Sequence, residues 1–278
     1  FIAWENRRIA EDKGALFDPT MLKNLELRGG VVSFFFMFMV QAGLFFCVPL
    51  FLSIALGLSA IETGVRLLPL SLSLLIFAAG IPRLLPDVSP RKVVRFGFMS
   101  LFAGLVLLVG LLEVGSGPEI ITWPLLLAGA GLGAMASQLG SVTVSSVSDE
   151  KSGEVGGLQN TGTQLGASIG TALAGALLIS ALTASFFTSI SGHPDIPDRL
   201  ASQTQTELAA GVPFVSDAQL ETALSEARVP PATADATVQA NEQARIDGLR
   251  AALSVLALMA LSAIAFTGGI PTVQPGSE

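Results

Sequence analysis

The sequence predicts an all-α membrane protein: a bundle of six transmembrane helices with a small helical loop on the extracytoplasmic side. Of the 278 residues, 51% are hydrophobic and only 13% are charged, about half the charged fraction of a soluble domain. Long uncharged runs separate the charged segments, and most approach or exceed the roughly 20 residues that a helix needs to cross a bilayer. These uncharged runs are 31–61, 67–82, 96–112, 120–148, 155–192 and 251–277.

The uncharged runs also divide the chain into four parts. Residues 1–30 are expected to hold the end of a preceding span and a cytoplasmic connector, and 31–187 the first five spans. An acidic extracytoplasmic loop with short helices follows at 188–245, and 246–278 holds the sixth span and a cytoplasmic tail. The expected spans are about 31–56, 63–82, 93–112, 122–146, 155–187 and 246–267. The expected short helices are about 198–210, 216–228 and 232–245, the last running directly into the sixth span.

The distribution of Lys and Arg predicts the orientation. With alternate crossings, one side carries ten basic residues, whereas the short loops of the other side, near 57–62 and 113–121, carry none. Basic loops remain in the cytoplasm, so we expect a multi-pass protein of the plasma (inner) membrane with 188–245 outside. The ten basic residues are Arg7, Arg8, Lys13, Lys23, Arg28, Arg83, Arg91, Lys92, Arg95 and Lys151.

The cytoplasmic basic loop between spans two and three contains four of these cations, Arg83, Arg91, Lys92 and Arg95. We expect them to fix the topology and to face anionic lipid or an acidic partner, with a gate-latching ion pair to another bundle as the alternative. Three prolines, Pro82, Pro86 and Pro90, predict that the loop is not helical.

Span five carries a ladder of small residues in the stretch GTQLGASIGTALAG. Gly162, Gly166 and Gly170 are four residues apart, and Ala174 continues the row, so all four lie on one face of a helix. Each interior glycine costs about 1 kcal/mol against alanine in a soluble helix, but membrane helices associate through such small residues. Span four repeats the pattern with Gly129, Gly133, Ser137 and Ser141.

The composition argues against several function classes. Cys47 is the only cysteine and His193 the only histidine. The sequence therefore has almost none of the residues that a metal site or His-based catalysis requires. No nucleotide-binding glycine loop, nucleophile elbow or basic nucleic-acid patch is present in the sequence. We therefore expect no enzyme, cofactor, metal or nucleic-acid partner. No Asp or Glu lies in the middle of a predicted span, so a proton-carrying carboxylate is not expected in these residues.

The order of several stretches resembles the C-terminal part of the major facilitator superfamily, and within it the fourteen-span drug:proton antiporters of the bacterial multidrug-export group. The resemblance covers nearly the whole chain. It departs from the family pattern at Phe51–Leu52–Ser53, at Pro90–Arg91 and at Thr163, which leaves the substrate preference open. The matching stretches are WENRR, GLSAIETGVRLLPLSL, GIPRLLPDVSPRKVVRFGFMSL, LLLAGAGLGAM and GLQNTGTQLGASIGTALAGALL.

The resemblance implies a six-helix half of a secondary transporter that works by alternating access. Its partners would be the lipid bilayer, a missing N-terminal transmembrane bundle, a small hydrophobic or cationic substrate, and protons exchanged during export. The first and fourth spans would line the substrate cavity, the second and fifth would meet the other bundle, and the proton-linked carboxylate would lie in the missing half. A six-span assembly or scaffold module without transport activity is the alternative.

Carried onto this chain, these roles single out two sets of residues. Gln41 would offer a hydrogen bond in the cavity, and the phenylalanines around it would stack on flat cations, although Phe is also common toward lipid. The cavity set is Phe34, Phe38, Gln41, Phe45, Gln138 and Ser141. The interbundle packing or gating set is Arg66, Asn160, Gly162, Gln164, Gly166 and Gly170. Arg66 lies one turn from Glu62, so outward snorkelling remains open for it, as does ordinary static packing for the glycines.

Overall fold

A computed structural model describes residues 4, 7–8, 18–148, 151–190, 217–226 and 229–274. Within these ranges the chain is helical and forms no strand, and six of its helices are long and apolar enough to cross a membrane. The predicted all-α fold with six spans is therefore confirmed. The helices are α1 Leu25–Leu50, α2 Ala60–Leu84, α3 Pro90–Leu111, α4 Thr122–Ser145, α5 Ser152–Ile190, α6 Asp217–Glu226 and α7 Pro231–Phe266. Helix α6 is the short one, and the other six are the candidate spans.

Helix α1 begins six residues before the predicted first span. Asn24 caps it, because its side-chain oxygen accepts hydrogen bonds from the backbone N–H groups of Glu26 and Leu27. At the other end the helix widens into a π-helical turn over Phe51–Ala55. The charged residues Glu26 and Arg28 belong to this first helix rather than to the connector before it, which is why hydropathy alone misplaced the boundary.

The prolines between α2 and α3 do not keep the whole loop out of helical structure, so that prediction was wrong. Helix α2 includes Pro82 and continues to Leu84, as membrane helices tolerate. Helix α3 starts with Pro90, a first-turn position at which the missing N–H has no helical partner to lose. Only residues 85–89 remain as the connection.

Helices α5 and α7 are longer than a bilayer requires. They contain 39 and 36 residues, about 58 and 54 Å at 1.5 Å per residue, against a hydrocarbon core of about 30 Å. Helix α7 joins the expected helix at 232–245 to the sixth span, and α6 falls within the expected 216–228. The helix expected at 198–210 lies outside the described residues.

The core lies between α1, α3, α4 and α7, where Leu44, Phe98, Leu132 and Leu256 are at most 2% exposed. Helix α2 packs chiefly on α4, and α5 packs on α1 and α7. In the most apolar part of α2 only 17% of residues are buried, and in α5 28%, against 50–61% in α1, α3 and α4. The bundle therefore leaves α2 and α5 as its two most exposed spans.

Candidate functional site

The glycine ladder of α5 packs against α1 inside the same bundle. A Cβ atom added at Gly166 would collide with the carbonyl oxygen of Phe35, and one at Gly170 with the carbonyl oxygen of Met39. At Gly162 the nearest neighbour is the Val31 side chain, 3.3 Å from the Cβ position. The interbundle surface expected for these glycines is thus already occupied by α1, and the alternative of static packing describes their place in this structure.

The small-residue ladder of α4 packs against α2 in the same way. Cβ atoms at Gly129 and Gly133 would collide with the carbonyl oxygens of Leu70 and Leu74. The glycines therefore bring the two backbones of each pair, α1–α5 and α2–α4, into direct contact. In the α1–α5 pair the glycines belong to α5, the exposed helix. In the α2–α4 pair they belong to α4, the central helix.

One face of α1 remains open between two of its neighbours, α4 and α5. On one side Gly30 lies against Thr143 of α4, and on the other Phe35 and Met39 lie against α5. The side chains predicted for the cavity project between these contacts. They are Phe34, Phe38, Gln41 and Phe45, four residues that the helical spacing places on a common face.

Exposure rises along this open face of α1. Phe34 is 6% exposed, Phe38 and Gln41 are half-buried, and Phe45 is 44% exposed. The Phe34 and Phe38 rings stack with their centroids 6.3 Å apart. None of the described residues forms a hydrogen bond with the Gln41 amide. The face therefore combines stacked aromatic rings with one amide that is available to a ligand.

The structure covers Gln138, in contrast to its predicted cavity role, whereas Ser141 is exposed and its cavity role stays a prediction. Gln138 is 3% exposed, and its Oε1 accepts a hydrogen bond of 3.1 Å from the Gln274 side chain, which also donates to the Val88 carbonyl. The Ser141 hydroxyl donates to the Gln138 backbone carbonyl at 2.9 Å. The C-terminal segment thus covers this side of α4.

Small residues rather than polar ones mark the open side of α4. Ala136 is exposed, and a Cβ at Gly140 would meet nothing within 4 Å. Around the axis of α4, both residues lie between Thr143, which contacts α1, and Gly133, which contacts α2. These two positions could not be recognised in the sequence, because neither residue has a polar or charged side chain.

The polar members of the interbundle set lie on the two exposed spans. Asn160 and Gln164 are exposed on the side of α5 opposite its glycines, and Arg66 is exposed on α2. Among the described residues, none makes a hydrogen bond or ion pair with these three side chains. Glu62, one turn before Arg66, is engaged instead in a capping box with Ser59.

Two of the four basic-loop residues hold the end of α7. The Arg91 Nε donates to the Ile270 carbonyl at 2.7 Å, and the Arg95 Nε donates to the Thr267 hydroxyl at 2.9 Å. Basic side chains at a helix C-terminus satisfy carbonyl groups that have no helical partner. Lys92 and Arg83 remain exposed, so the loop divides into two anchoring cations and two that face outward.

A polar cluster joins the segment before α1 to the start of α5 on the predicted cytoplasmic side. The Lys151 Nζ lies 2.8 Å from the Asp18 Oδ2, and the Asp18 backbone N–H donates to the Glu154 carboxylate at 2.8 Å. The hydrogen bond from Lys151, with others from the Thr20 hydroxyl and backbone N–H, lowers the pKa of Asp18 to about 2.

Folding lowers the pKa of Asp18, so the ionised carboxylate stabilises the folded state at pH values above the unfolded pKa of about 3.9. This stabilisation is lost as the pH falls toward 2. At pH 7, Asp18→Asn should destabilise the bundle by no more than about 1 kcal/mol, the range of exposed ion pairs. Thermal unfolding in detergent checks this, and the difference between variant and wild type should shrink between pH 4 and pH 2. Asp87→Asn, which removes an exposed carboxylate of the α2–α3 turn, is the control and should leave stability unchanged. An equal effect of both variants would contradict a specific role for the Asp18–Lys151 pair.

A second polar network, which the sequence did not predict, joins α5 and α7. The Ser185 hydroxyl donates to the Asp247 Oδ2 at 2.7 Å, and the Gln243 side chain donates to the Oδ1 at 2.9 Å. Arg250 completes it with a nitrogen 3.9 Å from the Asp247 Oδ1. Asp247 therefore ties the two long helices together at the predicted extracytoplasmic end. Within the described part of the chain, no cluster of three or more His, Cys, Asp or Glu could hold a metal ion.

Comparisons with known proteins agree with this architecture. Residues 5–171, more than half of the chain, match the family model described as Major Facilitator Superfamily. Over 96% of its length the chain is similar to the probable actinorhodin transporter of Streptomyces coelicolor, at 26% identity, and it covers 50% of that protein.

Two further relatives match shorter parts of the chain. The tetracenomycin C resistance and export protein of Streptomyces glaucescens is 34% identical over 59% of this chain, which covers 30% of that protein. The uncharacterized transporter YebQ of Escherichia coli is 34% identical over 47% of this chain, which covers 28% of that protein. The matched part of the chain thus spans half or less of the length of these curated relatives.

Proposed function

Because this chain belongs to the Major Facilitator Superfamily, we propose that it forms one six-helix bundle of a secondary transporter and works together with a second bundle. The alignment that spans 96% of this chain covers only 50% of the Streptomyces coelicolor relative, which supports a half-transporter. The order of motifs supports the C-terminal half. The membrane would be the plasma (inner) membrane, with residues 188–245 outside.

We propose export of hydrophobic, often cationic, compounds by alternating access in exchange for protons. The names of two relatives, an actinorhodin transporter and a tetracenomycin C export protein, support export of small organic molecules. The observation that carries the proposal is the open face of α1. Aromatic rings there attract flat cations through their π-faces, and the Gln41 amide adds one directional hydrogen bond.

The exposed sides of α2 and α5 are proposed to meet the second bundle. Amides and guanidinium groups in a membrane require partners. Asn160 and Gln164 have none among the described residues, and Arg66 has only the electrostatic attraction of Glu62, whose carboxylate is already bound to Ser59. The second bundle would supply these partners. The glycine contacts of α1 with α5 and of α4 with α2 would then keep this bundle rigid, so that the two bundles rock as bodies. The proton-linked carboxylate is proposed to lie in the second bundle.

Inverted membrane vesicles that contain the complete transporter test this function. A fluorescent planar cation such as ethidium is added, and a proton gradient with the lumen more acidic than the medium is imposed, so that protons leave the vesicle as the cation enters. We expect accumulation of the cation inside the vesicles, loss of accumulation when the gradient is collapsed, and no accumulation in vesicles without the protein. Movement that ignores the gradient would contradict proton exchange, and the absence of movement for a range of hydrophobic compounds would favour the scaffold alternative.

A further inference from the structure

The predicted cytoplasmic ends of α2 and α3 enclose an apolar groove of ≈ 340 Å³. The Phe77 and Phe96 rings stack along it with their centroids 6.2 Å apart. Leu85 and Phe96 are 51% and 49% exposed, so the groove opens outward from the bundle. Its apolar lining residues are Phe77, Ile81, Leu85, Val88, Val93 and Phe96.

A single charged residue, Lys92, lines the same groove. Its side chain is exposed, and within the described ranges no hydrogen bond or ion pair engages its ammonium group. The neighbouring cations on α3 are engaged elsewhere, since Arg91 and Arg95 donate hydrogen bonds to the end of α7. Lys92 is therefore the cation of this helix end that is available to a ligand seated in the groove.

We propose that this groove binds an anionic phospholipid of the cytoplasmic leaflet, with an acyl chain along the apolar walls and the phosphate on the Lys92 ammonium. Apolar walls with one cation at the rim match the two parts of such a lipid. The distribution of basic residues places this end on the cytoplasmic side, where basic pockets between membrane helices bind anionic headgroups. This site goes beyond the proposed transport function and does not depend on the substrate.

Native mass spectrometry of the complete transporter in mild detergent tests the proposal. The protein is offered phosphatidylglycerol or phosphatidylcholine with identical acyl chains. We expect wild-type protein to retain phosphatidylglycerol in preference, and Lys92→Gln to weaken this retention about fivefold, the effect of one basic charge near a membrane surface. Lys92→Arg should retain the lipid. Arg83→Gln is the matched control, because Arg83 is an exposed cation of the same loop but does not line the groove.

A second variant tests the groove separately from the charge. Val88→Phe keeps Lys92 but fills part of the groove, so it should reduce retention of phosphatidylglycerol, with unchanged elution in size-exclusion chromatography as the check on folding. Equal losses of phosphatidylglycerol retention for Lys92→Gln and Arg83→Gln would show that diffuse surface charge, and not this groove, holds the lipid. Wild-type protein that prefers neither lipid, or a folded Val88→Phe protein that retains phosphatidylglycerol as wild type does, would overturn the proposal.

Discussion

Replacing Gly170 by alanine is expected to destabilise the bundle by about 1–3 kcal/mol, the usual cost of an overpacked contact. The added Cβ would overlap the Met39 carbonyl oxygen, a backbone atom that cannot rotate away. Helices α1 and α5 would have to separate, which would weaken the contacts along the whole ladder. The effect is measured by heating the protein in detergent. Fluorescence-detected size-exclusion chromatography then gives the fraction that remains monodisperse. Gly166→Ala should behave alike, because Gly166 faces the Phe35 carbonyl oxygen.

Gly157→Ala is the matched control on the same helix. A Cβ at Gly157 would meet nothing within 4 Å, so only the helix propensity changes, and alanine is favoured there by up to about 1 kcal/mol. We expect Gly157→Ala to be neutral or slightly stabilising. If Gly170→Ala were as stable as Gly157→Ala, the close contact between α1 and α5 would not exist in the membrane.

Replacing Gln41 by leucine is expected to weaken transport without lowering the amount of protein in the membrane. The amide makes no hydrogen bond with the described part of the chain, so its loss leaves no partner unsatisfied within the bundle. A hydrogen bond to substrate contributes about 0.5–1.5 kcal/mol net, which corresponds to roughly a two- to tenfold loss of apparent affinity. Concentration-dependent transport in vesicles measures it.

Two comparisons make the Gln41 result specific. Gln41→Asn keeps an amide and should retain part of the affinity, whereas Met99→Leu changes an exposed side chain of α3, 48% exposed and remote from the open face of α1, and should have no effect. Normal transport by a well-expressed Gln41→Leu protein, across substrates that carry hydrogen-bonding groups, would remove Gln41 from the cavity.

The parts of the fold that depend on local pattern could be predicted from the sequence. Uncharged runs predicted the six spans, and the four-residue spacing of Gly162, Gly166 and Gly170 predicted a close-packed helix face. The spacing does not identify the helix that packs on this face, because the backbone of any neighbouring helix can approach small residues closely. The structure assigns it to α1 through the carbonyl oxygens of Phe35 and Met39.

Features that depend on distant parts of the chain could not be predicted. Gln138 has the polarity of a cavity residue, but a segment more than 130 positions away covers it through Gln274. The basic loop gave four equivalent cations, and only the position of α7 distinguishes Arg91 and Arg95 from Lys92. By contrast, the helical spacing that places Phe34, Phe38, Gln41 and Phe45 on one face of α1 depends on one helix alone, and the cavity role of this face stays a prediction.

The reactivity of a cysteine at position 41 in the complete transporter tests whether α1 lines a substrate cavity. The variant is made in a background that lacks Cys47, which is fully buried in α1, and Val106→Cys on the exposed side of α3 is the control. Alternating access through a cavity lined by α1 predicts that a membrane-impermeant, water-soluble thiol reagent labels position 41 and that substrate slows the labelling. Position 106 should stay unlabelled with or without substrate. An unlabelled cysteine at position 41 from both sides of the membrane, in protein that still transports, would contradict the account.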